Sequence, residues 1–469
     1  MSHLHPSAQA AASAPGHGFH GFRALFSRCL SWTLLSLCFT YHSVQAQNHK
    51  ELKVYFEKYL NNEPATKPGR SFSVKQLKER RDMVWAAWRA ANLALQSPTP
   101  LPAPCTVEAP VSHAWQLPDS LEPQATMPFY FATKGARPQA GFPLFLYLHG
   151  SGPKAQEWAT GLALAGRFED APSAYFIPQI PNEGGWYRWW QRSKQFAWES
   201  LFRGALLRDD IDPARLYLFG ISEGGYGSQR LASFYADYLA AAGPMAGGEP
   251  LKNAPAENLS NIGFSLRTGA NDKGFYRDYL TRLTAEALDS LEELYPAGYR
   301  HNVQLIEGRG HHIDYSPTTP WLSHFKRNAT PRHFIWEDFE MDGRHRAGFY
   351  NLLSAERPDR PRRTRYDVDI ADNVVNIAVE NVSYTCIERD PQFGIELRFQ
   401  RTYEEAQHGE ITVFLDENLV DLLRPVTINV NGRRILKAKP TLSTASLVEA
   451  VCAFGDPLRI FPASFKVKW

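Results

Sequence analysis

The sequence predicts an α/β body followed by an all-β end, and three observations carry that division. Residues 142–148 (Phe-Pro-Leu-Phe-Leu-Tyr-Leu) form an unbroken apolar run of strand length, the pattern of a fully buried strand. Arg215-Leu-Tyr-Leu-Phe219 runs into Gly220-Ile221-Ser222-Glu223-Gly224 and on into helically spaced Leu231, Phe234, Tyr235 and Tyr238, so a strand turns directly into a helix. Beyond residue 365 the pattern shifts to strands: alternation at 375–379, a β-rich run at 411–415, and a strand at 426–430 that meets Asn431-Gly432, a strong hairpin signal.

At 469 residues the chain holds two or three domains. With 43% hydrophobic and 13% aromatic residues it has material for a sizeable core. Its 51 basic residues nearly match 49 acidic ones, and no long basic run stands out. A nucleic-acid partner is therefore not expected.

Taken from the N-terminus, Arg23 and Arg28 precede an apolar run from Cys29 to Phe39, which leads to Ser43-Val-Gln-Ala46-Gln47. This predicts a signal peptide over residues 1–46, cut after Ala46. The run is well short of the ~20 residues that span a bilayer, and no later stretch is longer. The expectation is an exported protein, periplasmic or secreted, with no integral membrane span. Cys29 and Cys38 leave with that segment, and Cys105, Cys386 and Cys452 remain. Cys386 and Cys452 either bridge or stay as free thiols.

Residues 47–110 read as a helical lead-in. Ser73-Val-Lys-Gln76 makes a capping box, and Leu77, Val84, Trp85, Trp88 and Leu95 then share one helix face, expected to pack on the α/β body. The proline-rich residues 97–104 predict a stiff linker.

The chemistry centres on Ser222. Glycines two before and two after it let a strand turn sharply into a helix and lift the hydroxyl into the open, a nucleophile elbow. The buried strand at 142–148 ends in His149-Gly150-Ser151-Gly152-Pro153. The amides of Gly150 and Ser151, with that of Glu223, are the candidate oxyanion hole. Residues 262–268 form another short strand, followed by Gly269-Ala-Asn-Asp272, and residues 303–306 lead to Glu307-Gly-Arg-Gly310-His311-His312. Ser222, Asp272 and His311 thus follow in the order nucleophile, acid, base. His311 is preferred over the adjacent His312 because it directly follows the Gly-x-Gly loop at the strand end. His311, His312 and Asp314 as metal ligands are the alternative, supported by no cysteine or HExxH pattern.

Between loop and elbow, Gly185-Trp186-Tyr187-Arg188-Trp189-Trp190 supplies Trp186, Tyr187, Trp189 and Trp190 as candidate substrate-binding rings; packing of a long insertion is the competing reading. Residues 240–248 read as a buried strand and a glycine turn, which puts Glu249 near the site without a derived role.

On these motifs, over residues 111–353, the sequence resembles the α/β-hydrolase superfamily, and within it secreted esterases similar to polyhydroxybutyrate depolymerases and feruloyl esterases. The resemblance implies a mainly parallel sheet flanked by helices, acyl transfer through a covalent acyl-enzyme, and no cofactor. Gly224-Gly225-Tyr226 also resembles the elbow of prolyl-oligopeptidase-type peptidases, but residues 47–110 are too few for their β-propeller. The expected organisation is a catalytic domain over 111–357, a charged linker over 358–365 and a small antiparallel β-sandwich over 366–469. The expected function is hydrolysis of a small or polymer-linked ester. A serine peptidase of the same fold and a catalytically silent binding protein are the alternatives.

Overall fold

The computed structural model describes residues 47–95, 100–354 and 362–469. The predicted signal peptide, residues 96–99 before the proline run ends, and the first half of the charged segment at 358–365 lie outside the described residues.

The α/β body is built on a nine-stranded sheet. Six of its strands are parallel neighbours, in the order Ser173–Pro178, Phe142–Leu148, Ile211–Ile221, Ala241–Met245, Gly263–Gly269 and His301–Ile306. Both faces are covered. Leu144, Leu146, Leu216, Leu218 and Phe264 point to one side, with Ala197 and Leu201 of the helix Arg192–Leu206 and Leu231 of the helix Glu223–Phe234. Phe145, Tyr147, Tyr217 and Phe219 point to the other, with Ala165 of the helix Lys154–Arg167 and Leu322 of the helix Thr318–Leu322. A strand covered twice has no solvent face, which is why residues 142–148 are apolar without alternation. At the open end the sheet turns antiparallel, where Thr126–Lys134 pairs with Ser173–Pro178 and Ser112–Gln116.

Beyond it lie two further sheets. One runs His333–Asp338, Arg363–Ala371, Val374–Arg389, Val426–Val430 and Arg433–Ala438, with Glu396–Glu405 also paired to Val374–Arg389. The other runs Gly348–Phe349, Leu352–Ser354, Glu410–Leu415 and Ala463–Lys468. Their side chains meet: Trp336 stacks on Phe349 at 5.7 Å, and Phe334 lies 5.0 Å from Tyr350. The Asn431-Gly432 turn joins its two strands with both residues at positive φ, 48° and 73°, as a two-residue type I′ hairpin requires.

Four features depart from the sequence reading. The β region is not wholly antiparallel, because Val374–Arg389 and Val426–Val430 run parallel. Its sheets also take strands from residues 333–354. Arg363 and Arg365 are strand residues, each facing a carboxylate (Glu337 at 2.6 Å, Glu380 at 2.8 Å), a pairing that composition does not display. Last, the helix Thr444–Phe454, capped by Ser443 and ended by Gly455 at φ 58°, was not foreseen. It receives the lead-in: Val84, Ala87, Trp88 and Ala91 of the helix Leu77–Leu93 pack on Leu447, Val448 and Val451. That apolar face therefore packs chiefly on this C-terminal helix, not on the α/β body as expected.

Cys105, Cys386 and Cys452 are free thiols. Among the described residues no helix is long and apolar enough to cross a membrane.

Candidate active site

The glycines around Ser222 are demanded by close backbone approach. A Cβ on Gly220 would stand 2.5 Å from the Gly224 carbonyl carbon and 2.7 Å from the Leu148 oxygen, and one on Gly224 would stand 2.5 Å from the Leu148 carbonyl carbon. A Cβ on Gly227 would strike that of Trp189 at 2.6 Å. The elbow is thus pressed against the end of the strand Phe142–Leu148. Ser222 itself takes φ 57° and ψ −113°, a conformation an L-residue adopts only under constraint. Its amide donates to the Met245 carbonyl at 2.9 Å and its carbonyl accepts from Tyr226 at 3.0 Å, which hold the turn.

Two loops at adjacent strand ends bring Asp272 and His311 together. The Ala270 amide donates to Ile306 at 3.0 Å and the Asn271 amide to Arg309 at 2.8 Å, so the turn after Gly263–Gly269 is tied to the turn after His301–Ile306. His311 Nδ1 lies 2.7 Å from Asp272 Oδ2, and His311 Nε2 lies 3.0 Å from Ser222 Oγ. With Asp272 ionised, Nδ1 carries the proton and donates, leaving Nε2 to accept from the serine hydroxyl. Asp272 is 4% exposed. Its second oxygen accepts from Arg277 Nη1 at 2.8 Å. His312 is exposed, and its ring centroid stands 6.1 Å from that of His311. Asp314 Oδ1 accepts from the amide and hydroxyl of Ser316 at 3.0 and 2.7 Å. Among the described residues no group of three histidines, cysteines or carboxylates is placed to hold a metal ion.

Gly150 flanks the serine: a Cβ there would lie 3.5 Å from Ser222 Cβ. Ser151 is exposed beside it. The Glu223 amide opens the helix Glu223–Phe234, where N–H groups have no intrahelical acceptor. His149 fixes this loop from beneath. Its Nε2 accepts from the Ile180 amide at 3.1 Å, so Nδ1 carries the proton and donates to the Gly150 carbonyl at 2.7 Å. Burial lowers its pKa to about 4, which keeps the ring neutral near pH 7.

The four candidate substrate rings separate. Tyr187 and Trp189 are buried and serve the loop, a correction to their reading as substrate contacts. The Tyr187 hydroxyl sits 2.7 Å from the Gly150 carbonyl and 3.0 Å from that of Gly152, and Trp189 Nε1 donates to the His149 carbonyl at 2.9 Å. Trp190 lines a cleft of about 410 Å³ against the first turn of the elbow helix. Trp186 is exposed and stands outside that lining.

The cleft joins Glu223 and Glu249 to residues the sequence did not single out. Arg230 bonds Glu249 at 2.7 Å and lies 3.9 Å over the Trp190 ring. Arg188 lies 3.4 Å from the Glu223 carboxylate. Burial raises the Glu223 pKa to about 7, with Arg188 opposing. Glu396 and Phe399, from the sheet that includes Val374–Arg389, form the far wall. That wall is held by Tyr276 to Asp390 and by Lys252 to Glu396, both at 2.8 Å. Residues more than a hundred positions apart meet here, so no local pattern marks them. Arg277 had no signal either, being one arginine in a helix.

No protein-family model matches the sequence, and no curated protein does. Solved structures similar to the chain include esterases, a serine hydrolase and a putative dipeptidyl aminopeptidase IV from Bacteroides ovatus. A thermostable esterase is 20% identical with a TM-score of 0.37, covering 47% of this chain and 64% of its own. A ferulic acid esterase from Anaeromyces mucronatus is 12% identical with a TM-score of 0.33, over 46% and 88%. A fluorophosphonate-binding serine hydrolase from Staphylococcus aureus is 13% identical with a TM-score of 0.35, over 46% and 98%. Likeness of this degree decides neither reaction nor substrate.

Proposed function

We propose that this protein is an exported serine hydrolase that cleaves carboxylic esters through Ser222, His311 and Asp272. The observation that carries the reading is the continuous line from Asp272 Oδ2 to His311 to Ser222 Oγ, at 2.7 and 3.0 Å, with the serine on a constrained turn. His311 Nε2 takes the hydroxyl proton as Ser222 Oγ adds to the ester carbonyl. The new oxyanion is held by the Glu223 amide and the amides of the Gly150-Ser151 loop. His311 returns the proton to the departing alcohol as the C–O bond breaks. Water then attacks the acyl-enzyme by the same route in reverse roles. Asp272 holds the tautomer and stabilises the imidazolium. Arg277 keeps the Asp272 carboxylate in place and is a positioning residue.

The cleft beside Glu223 suits the acyl or alcohol portion, with Trp190 and Phe399 as flat walls. The β region supplies part of that wall, which favours a role in shaping the site. Export rests on the pattern at residues 1–46 alone.

The test is labelling by a fluorophosphonate probe together with turnover of aryl and short-chain esters. Labelling lost in Ser222→Ala, with turnover down roughly 10³-fold or more, is expected. Wild-type protein that neither labels nor turns over any ester overturns the proposal. Proline-containing aminoacyl amides turned over as fast as the best ester would replace the esterase reading with a peptidase.

A further inference from the structure

The reaction leaves unused a cavity of about 350 Å³ at the other end of the elbow helix. Ser222 opens that helix, and the cavity begins past its last turn, about 18 Å away at the usual rise for 12 residues. Tyr59 and Trp88 of the lead-in, Phe202, Tyr235 and Tyr238 of the α/β body, and Phe454 of the C-terminal helix wall it. Arg203, Arg344 and Arg346 also line it, with Glu199 as the one acid.

The charges here are unequal. Glu199 is taken by Arg344. Arg346 pairs with Asp237 through both terminal guanidinium nitrogens and donates to the Phe234 carbonyl at 2.9 Å. Asp237 is shared with Arg459, whose second partner, Asp456, is shared with Arg327. Behind the wall, three guanidinium groups therefore divide two carboxylates. Arg203 has no hydrogen bond or ion pair from its guanidinium among the described residues, and burial pulls its pKa below the ordinary arginine value, with Glu199 opposing. Five arginines thus face three acids. Arg459 Nη2, on a residue 0% exposed, and Arg327 Nε have no hydrogen-bond partner. The cavity lining therefore carries three arginines against one acid, with the half-buried Arg203 unpaired among the described residues and a positive network behind the wall, a setting that suits an anion.

We infer that this cavity binds an organic monocarboxylate with a flat apolar body, its carboxylate at Arg203 and Arg344 and its ring among the aromatic walls. The planar guanidinium fork matches a carboxylate in geometry. The volume falls in the ~300–1,000 Å³ range of small-molecule sites. Inorganic phosphate satisfies the arginines but leaves the rings uncovered, so it is the weaker ligand. The site shares no residue with the cleft beside Ser222, and its occupancy is independent of the reaction proposed there.

The experiment is calorimetric titration of the mature chain with benzoate, with benzamide as the neutral isostere, and with inorganic phosphate. Wild-type protein, Arg203→Gln and Arg188→Gln are compared, the last because Arg188 lines the catalytic cleft. The expected result is one saturable benzoate site, weakened about 10-fold or more in Arg203→Gln and unaltered in Arg188→Gln, with benzamide and phosphate both weaker than benzoate. Absence of saturable benzoate binding in the wild type overturns the inference, whatever the variants do. So does benzoate affinity unaltered in Arg203→Gln, or lost in Arg188→Gln instead. Phosphate binding tighter than benzoate, or benzamide binding as tight, overturns the assignment to an apolar carboxylate. Because the Arg203 guanidinium has no partner to lose among the described residues, matched thermal melts are expected for wild type and Arg203→Gln.

Discussion

Replacing Gly224 by alanine places one methyl group where the elbow touches the strand Phe142–Leu148. The added Cβ would stand 2.5 Å from the Leu148 carbonyl carbon, nearer still to its oxygen, and 3.0 Å from the His149 oxygen. Carbon atoms in contact rest ~3.5–4.0 Å apart, so helix and strand must part by about 1 Å. No flexible side chain can yield, because all three neighbours are backbone. Overpacking of this kind costs about 1–3 kcal/mol. The larger consequence is catalytic, because Ser222 moves with the helix while Gly150 and Ser151 stay with the strand. A misplacement of ~1 Å lowers turnover by about 10²-fold. The control is Gly166→Ala in the helix Lys154–Arg167, where nothing lies within 4 Å of the new methyl; it should stabilise by up to about 1 kcal/mol. Thermal unfolding and aryl-ester turnover, normalised to the sites labelled by fluorophosphonate, measure both effects. A Gly224→Ala protein with wild-type melting and wild-type turnover would refute the claim that this contact sets the elbow.

His311→Ala should lower ester turnover as far as Ser222→Ala does, whereas His312→Ala, an exposed ring, should stay within about tenfold of wild type; the reverse ranking in steady-state assays moves the base by one residue. Burial holds His149 at about 4 against the ordinary 6.5, so between those values the unfolded chain takes up a proton that the folded chain refuses. Its contribution is therefore lost as pH falls from about 6.5 towards 4, by up to ~3 kcal/mol. Denaturant titrations should show a shallower loss over that window in His149→Gln, and an equal slope contradicts it. Glu223 acts in the opposite sense. Its pKa is raised from 4.5 to about 7, so the folded state is favoured at low pH and that contribution is lost as pH rises through about 7. Relative to wild type, Glu223→Gln should lower Tm more at about pH 5 than at about pH 8, and the reverse ranking counts against a buried carboxyl.

Much of the α/β body is legible in the chain because its signals are local. Residues 142–148 are apolar throughout since helices cover both faces of that strand, and the glycines at 220 and 224 stand where a Cβ would meet backbone. The Asn431-Gly432 hairpin is legible for the same reason, its positive φ angles being set by the two residues themselves. The helix Thr444–Phe454 escaped because it lies within a region whose other signals are strands. Tyr187 and Trp189 read as substrate contacts since an aromatic cluster looks the same whether it packs or binds. Only the fold shows their polar atoms turned onto the backbone of residues 149–152.

The sequence by itself determined the strand-to-helix turn at Ser222, the strand-end loops that carry Asp272 and His311, and the strand-rich character of the chain beyond the charged segment. Each of these is written in residues close together, where backbone sterics and hydrophobic period act. Tertiary structure decided that His311, and not His312, faces the serine, because the loops after Gly263–Gly269 and His301–Ile306 are tied by backbone bonds. It also decided that Arg277 holds Asp272, that Glu396 and Phe399 wall the cleft, and that Arg203 is left without a partner among the described residues. Those contacts join segments far apart in the chain, and the charge and packing that select them exist only once the sheets have closed on one another.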